Sequence, residues 1–430
     1  MASATAKYPT RPLESFAKLK EVRRQVGKDT FSANERGKVL ILGGEGGCCA
    51  LYGAFDAEVY PAMPTGKDMR DLNLLNKLNE AAEAKGFTRD CCATLRIALG
   101  AYHAGTFGLN AKTGEQIRPD IAINLIICQG QVKSHQLHGE NFGIPVIDIE
   151  CPWIPHNMEL AKKRFIETLY MTVEKMEKVL DKKCDDEKLI RGTINEWRVH
   201  RSMSEMVLLQ KTVPAPVKQR NLASFSTLIT RGATFRSDVA DFYELALEEV
   251  KERVKEGIAG FENERFRLFH EGNLPWHIGI GDILRYPEKY DGTYIGSLSL
   301  FGFGGCFVTD EQGSWHAASA PWEMGREIRS REDAFDELAE LYVGQPFFQL
   351  FHRSEHRLSL AKDCKIDGVV LALDRGCVGI TSGLLESALL LKEGGIPAVC
   401  YETSSSIPAD FDEKGYHRLM DRLMESLEGK

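Results

Sequence analysis

The chain has 430 residues, enough for two or three domains with cores of their own. Hydrophobic residues make up 43% and charged residues 27%, an ordinary globular balance. A formal net charge of -8 and the lack of any Lys/Arg block argue against a nucleic-acid binder. The opening "MASATAKYPTRPLESF" has no hydrophobic signal core, and no run of about 18 apolar residues occurs. A cytoplasmic protein without membrane association is expected.

The first apolar run, "VLILG" at 39–43, reads as a buried strand. Helical spacing follows over 67–86, and a second helix is expected to start after Arg89–Asp90 and run to about His103. "DIAINLIIC" (120–128) is a strand, followed by a helix to about Asn141 and a strand in "GIPVIDIE" (143–150). Charged, helix-patterned segments fill 157–206 and 222–258, with a break at Pro214 and Pro216. "RFRLFH" (265–270) and "GTYIGSLSL" (292–300) read as strands, and 331–343 and 354–363 as helices. The chain ends strand–helix–strand–helix over 367–373, 379–394, 397–401 and 413–428. Strands alternating with helices predict an α/β fold with parallel sheets covered on both faces.

Two stretches are alike. Residues 119–150 and 366–402 each place an Asp before an apolar strand, a cysteine just beyond it, a helix, Gly-Ile-Pro, a second strand and a Glu. One βαβ unit used twice predicts two related, flavodoxin-like domains facing across a cleft. The expected division is an N-terminal α/β domain with a helical arm (1–155), a helical segment (156–260) and a C-terminal α/β domain (261–430). Ligands bind beyond the carboxyl ends of parallel strands. Cys128 and Cys377 occupy those positions, so both are expected in the cleft. Two thiols converging from separate domains suggest a shared metal centre. In "TRDCCATLRIAL", Asp90 is expected to cap a helix with Cys91 or Cys92 in its first turn, where the backbone N–H groups stabilise a thiolate.

Of the eleven cysteines, most read as inert buried thiols. Their odd number, with no secretion signal, disfavours a disulfide framework, and no CxxC pair occurs. Cys151, Cys184, Cys306, Cys364 and Cys400 are read as structural, as are Cys48 and Cys49. "GGEGGCC" (43–49) is neither a P-loop nor a G-x-G-x-x-G, and "FGFGG" (301–305) fails likewise, so no nucleotide site is expected. Glu45 and Glu150 follow strands and are expected near the cleft. "RLFHEGNLPWHIG" (267–279) sets His270, Glu271, Trp276 and His277 just past a strand. Histidine titrates in the range a proton donor needs, burial can keep a Glu protonated, and Trp276 can wall off a flat group. His277 is ranked first as donor, ahead of His270 and Glu271. His135 and His138, on one helix face, are read as solvated or lining the cleft.

The motifs "RDCCATLR", "LIICQGQVKSHQ", "VPAPVKQRNL", "IGSLSL", "GSWHAASAPWEMGREIRSREDA" and "DGVVLALDRGCVGITSGLLES", in this order, carry a resemblance nearly from end to end. The chain resembles the family of 2-hydroxyacyl-CoA dehydratases and ATP-dependent benzoyl-CoA reductases. Within it, the chain looks most like the larger catalytic subunit of benzoyl-CoA reductase. It departs from the family in "RGCVG", where many relatives have "RGCEG", and in "EGNLPW", where "EGxPPW" is common. The resemblance implies a [4Fe-4S] cluster held by Cys92, Cys128 and Cys377, Cys92 being favoured over Cys91 by its place second after the Asp. Three cysteines would leave one iron open. It also implies reduction of the aromatic ring of an aryl-CoA thioester to a cyclic dienoyl-CoA. The alternative is loss of water from a 2-hydroxyacyl-CoA by a ketyl radical, and a third reading is an electron carrier that is not itself catalytic. The implied partners are benzoyl-CoA or a related thioester, a homologous smaller catalytic subunit, ATP-hydrolysing activating subunits and, indirectly, ferredoxin; from their own places just past strands, Trp276 and Glu45 are expected to line the thioester's site.

Overall fold

A computed structural model describes residues 6–44, 46–62, 70–110, 113–152, 157–278, 280–343, 345 and 353–429. Its strands are β1 (Val39–Gly43), β2 (Ala57–Tyr60), β3 (Ile121–Ile126), β4 (Val146–Glu150), β5 (Phe266–Glu271), β6 (Gly292–Gly296), β7 (Phe307–Thr309), β8 (Trp315–Ala317), β9 (Gly368–Asp374) and β10 (Ala398–Thr403). They form two four-stranded parallel sheets, ordered β2-β1-β3-β4 and β10-β9-β5-β6, and a small antiparallel hairpin of β7 and β8. Counted within each half, both orders are 2-1-3-4, the flavodoxin-like winding. The fold is therefore α/β, with one winding used twice.

The two halves agree down to individual atoms. Asp120 precedes β3, and its Oδ2 accepts the N–H of Leu40 in β1 at 2.7 Å. Asp367 precedes β9, and its Oδ2 accepts the N–H of Arg267 in β5 at 2.8 Å. The prolines of the two Gly-Ile-Pro segments follow suit. Pro145 accepts from Ala122 and Pro397 from Val369, both at 2.9 Å. Gly43 ends β1 at φ +118° and Gly272 follows β5 at φ +89°. A Cβ at either would stand 2.4 Å from a carbonyl oxygen of the neighbouring third strand, Ile123 and Ala372 respectively. Only glycine combines that backbone with that approach.

Strand faces follow the sequence. β9 is buried almost throughout, as a central strand covered on both sides must be. Several helices start where a side chain satisfies their first N–H groups. Asp71 caps Leu72–Glu83, Asn157 caps Met158–Leu180 and Asp185 caps Asp186–Leu208. The first sheet's core takes in Phe165 and Leu169 of Met158–Leu180 and Phe335, Leu338 and Tyr342 of the helix Arg331–Val343. The arm helix Ser15–Phe31 lays Leu19, Val22 and Val26 into a core shared with Ser237–Glu256 and one face of the second sheet.

Several boundaries differ from expectation. β2 and the β7–β8 hairpin are short and carry little period-2 signal. "GTYIGSLSL" is a strand only to Gly296, because the Ser297 side chain accepts the Leu300 N–H at 3.0 Å and starts the helix Leu298–Gly304. The helix expected over 379–394 is two, Val378–Thr381 and Leu384–Glu393, separated at Gly383 with φ +80°. Among the described residues no helix is long and apolar enough to cross a membrane.

Candidate functional site

β3 and β9 end at equivalent places, and the chain beyond each brings a cysteine to the region between the sheets. Cys128 precedes the helix Gln129–Phe142, and Cys377 precedes Val378–Thr381. Cys92 joins them from the start of the helix Ala93–His103, where it is itself the N-cap residue. Asp90, expected to be the cap, instead bridges to Arg375 of the second half at 2.8 Å. Cys91 lies one residue outside the helix.

Glycines let the cysteine segments close together. A Cβ at Gly130 would stand 3.3 Å from the Cys92 Cβ and 3.8 Å from the sulfurs of both Cys92 and Cys128, so those sulfurs lie within twice that distance of each other. A Cβ at Gly379 would stand 3.0 Å from the Cys128 Cβ and 3.5 Å from its sulfur. At Gly376, φ +80°, it would meet the Cys91 carbonyl oxygen at 2.6 Å. Gly376 and Gly379 of the second half thus admit the Cys91 backbone and the Cys128 side chain of the first.

Electrostatics agree with the geometry. Burial pushes the Cys377 thiol up to about 12, with Asp374, Cys92 and Cys128 adding to it. Burial also raises Cys92, and Cys128 and Asp374 contribute there too. Arg353 is brought down to about 10 by burial and by Arg357, while Cys377, Glu271 and Cys128 act in the opposite sense. Its Nη1 donates to the Gly379 carbonyl at 2.6 Å, tying the Cys377 segment to the helix Arg353–Asp363. Among the described residues, no three His, Cys, Asp or Glu side chains converge on a single metal ion. A polynuclear cluster makes a different demand, because each thiolate binds its own iron. An all-thiol donor set, drawn from three segments around a glycine-lined gap, fits such a cluster.

Asn273 also reaches this site. Its Nδ2 donates to Asp374 Oδ2 at 2.8 Å and to the Cys377 sulfur at 3.3 Å. A pocket of about 560 Å³ opens beside Cys377, lined among others by Asp374, Arg375, Thr381, Glu402 and Asp410. That volume falls within the usual range for small-molecule sites.

The other residues singled out in the sequence are placed elsewhere. His270 is buried in β5, bonds to the Tyr401 hydroxyl at 2.9 Å and is held down at about 3 by burial. Glu271 is buried on the opposite face, where it accepts the Leu298 N–H and lies 3.5 Å from Arg357. His277 is half-buried, its ring 6.3 Å from that of Phe411, and burial lowers it. Trp276 donates its N–H to Ser405 and packs on the apolar cluster of Leu75, Leu78 and Ile97, so it clasps the second half to the first. Glu45 lies outside the described residues. His135 and His138 are neither solvated nor lining the cleft: both are 1% exposed. His135 bonds to Asp148 at 2.6 Å, and His138 bonds to Ser134 at 3.0 Å and to Tyr102. Helical spacing put them on one face, and that face is the one packed inward.

Sequence reasoning passed over Asn273 and Arg353. Asn273 had a signal, since it follows a glycine that repeats the role of Gly43. Arg353 had none, being one of many charged residues at helix starts.

A doubly wound pair of sheets with a cysteine site between them defines an α/β protein of two related halves. The chain belongs to the family described as "2-hydroxyglutaryl-CoA dehydratase, D-component", whose model matches residues 51–415. It is 22% identical over 367 residues to the lactoyl-CoA dehydratase subunit alpha of Anaerotignum propionicum, covering 81% of each chain. It is 22% identical over 359 residues to the (R)-phenyllactyl-CoA dehydratase alpha subunit of Clostridium sporogenes, covering 82% of this chain and 80% of the relative. To the (R)-2-hydroxyglutaryl-CoA dehydratase subunit alpha of Acidaminococcus fermentans it is 24% identical over 309 residues, covering 70% and 59%. These relatives are dehydratase subunits, so they favour the alternative expectation over ring reduction. The chain is an enzyme of the CoA-thioester dehydratase family.

Proposed function

We propose that Cys92, Cys128 and Cys377 hold a [4Fe-4S] cluster and that this subunit, with a partner subunit, acts on the acyl group of a CoA thioester. The observation that carries the reading is the gathering of three thiols from both halves around Gly130 and Gly379. The relatives favour removal of water from a 2-hydroxyacyl-CoA. The order of motifs from "RDCCATLR" to "DRGCVGITSG" favours a second reading, reduction of benzoyl-CoA by an ATP-driven complex. When bound, a cluster supplies a low-potential electron, which either reaction requires.

The chain's own residues have separate tasks in both readings. The three cysteines hold the group and leave one side without a protein thiolate. Gly376 and Gly379 let the two halves meet closely enough to shield it from water. Asn273, Asp374 and Arg353 fix the Cys377 segment. The pocket beside Cys377 offers room for the acyl end of a thioester. His270, buried and neutral, serves packing, and His277 is left as the donor candidate on this loop.

The test is anaerobic purification followed by iron analysis and paired assays. About four irons per chain are expected, lost on changing Cys92, Cys128 or Cys377 singly to Ser and retained on changing buried Cys184 or Cys364. Full iron in Cys377→Ser would sink the assignment. Turnover of a 2-hydroxyacyl-CoA against benzoyl-CoA by the assembled complex decides between the two reactions.

A further inference from the structure

Asp374 is 2% exposed at the carboxyl end of β9. Its carboxylate takes three aimed donors: the Ser405 N–H at 3.0 Å on Oδ1, and the Ser405 hydroxyl at 2.6 Å and the Asn273 amide at 2.8 Å on Oδ2. An acceptor at that position settles which way the Asn273 side chain faces. The NH2 end must point to Asp374, and its second hydrogen is then directed to the Cys377 sulfur, 3.3 Å away. Gly272, in a backbone conformation closed to other residues, turns the chain over β9 and makes the approach possible. Ser405, Asp374, Asn273 and Cys377 thus form one chain of hydrogen bonds drawn from three strand ends.

Cys92 and Cys128 have no side-chain amide donor of this kind in the described hydrogen bonds, so the arrangement is particular to the third cysteine. A donor to a ligating sulfur withdraws electron density from the iron it binds and raises the reduction potential. It also fixes the ligand's orientation before the group arrives.

We propose that Asn273 is a positioning residue that tunes the reduction potential of a cluster held through Cys377, itself oriented by Asp374 and Ser405. The inference rests on the reading that the three cysteines hold a cluster. Asn273 touches the sulfur and not the substrate, so its signature is electrochemical.

The experiment reconstitutes the full chain anaerobically with iron and sulfide and measures iron content and midpoint potential by titration followed by electron paramagnetic resonance. Asn273→Leu, similar in volume and without a donor, should retain the wild-type iron content and shift the potential to more negative values. Asn273→Asp removes the donor and adds a charge, so its shift should be larger in the same direction. Ser405→Ala acts only through Asp374 and should give a smaller one. An unchanged or raised potential in Asn273→Leu with full iron overturns the proposal. Loss of iron in Asn273→Leu also overturns it, because Asn273 would then be required for ligation itself. Wild-type protein that takes up no iron refutes the cluster reading instead, and with it the ground of this inference.

Discussion

Glu196 is wholly buried, yet a single one of its oxygens does most of the bonding. Oε1 accepts from the Cys49 N–H at 2.7 Å, the Thr234 hydroxyl at 2.7 Å and the Tyr342 hydroxyl at 2.9 Å. Oε2 has no hydrogen-bond partner. Burial pushes the carboxyl up, as expected where the charged form is poorly solvated. The group holds the turn between β1 and the helix Cys49–Ala54 to two other segments. A neutral amide of the same shape keeps the accepting oxygen. Glu196→Gln should therefore change stability by less than about 1 kcal/mol, whereas Glu196→Ala strands three donors and should cost about 2–4 kcal/mol. Urea unfolding of both variants checks this; equal losses would mean that the native group is ionised.

Among the elements, the helices Leu72–Glu83 and Ala93–His103 cross at Gly100, where a Cβ would lie 2.0 Å from the Leu78 carbonyl oxygen. That carbonyl is backbone and cannot swing aside. Gly100→Ala gains about 1 kcal/mol of helix propensity but forces the pair apart, and a net loss of about 1–3 kcal/mol is expected. Gly27, inside the helix Ser15–Phe31, has nothing within 4 Å of its would-be Cβ. Gly27→Ala should raise stability by up to about 1 kcal/mol. Thermal midpoints moving in opposite directions for the two substitutions would bear out the contrast. The crossing matters for the site because Ala93–His103 carries Cys92 at its N-terminus.

For the whole molecule, three buried histidines couple folding to pH. Burial holds His138 and His270 at about 3 and His200 at about 4, against about 6.5 for a histidine in an unfolded chain. Between those values the unfolded state binds more protons than the folded one, so stability rises with pH and falls on acidification. Their contribution is whole above about pH 7. By pH 5 each histidine should have removed roughly 2 kcal/mol. Urea midpoints from pH 7.5 to 5 should decline accordingly. In His270→Gln, which keeps a partner for Tyr401 but cannot take up a proton, the slope should flatten; an unaltered slope would show that His270 takes up its proton as readily in the fold as in the unfolded chain. The two halves meet through Trp276, through Asn79, whose amide donates to the Ser406 carbonyl at 2.7 Å, and through Arg375 and Asp90. Loss of global packing on acidification therefore reaches the cysteine site as well.

Much of the fold was legible in the sequence because repetition is a strong signal. The paired Asp–strand–Cys–helix–Gly-Ile-Pro segments predicted a duplicated parallel sheet, and Asp120 and Asp367, Pro145 and Pro397, have matching bonds. The same repeat put Cys128 and Cys377 at strand ends, where backbone geometry alone directs a following residue toward the sheet's edge. Short elements were illegible, since four residues of β2 or three of β7 give periodicity too little room. The loop "HEGNLPWH" was found, but the roles within it were not. His270 belongs to β5 and its core, whereas beyond Glu271 the chain leaves the strand, and its turn takes Asn273 to the cysteine and Trp276 to the other half. The composition, the alternation of strands and helices and the cysteine positions were properties of the chain read along its length. The flip of the Asn273 amide, the buried face of His135 and His138, and the meeting of Arg353 with Gly379 were decided only by the tertiary structure. Each depends on what lies across a gap, between atoms far apart in sequence, and no local propensity records it.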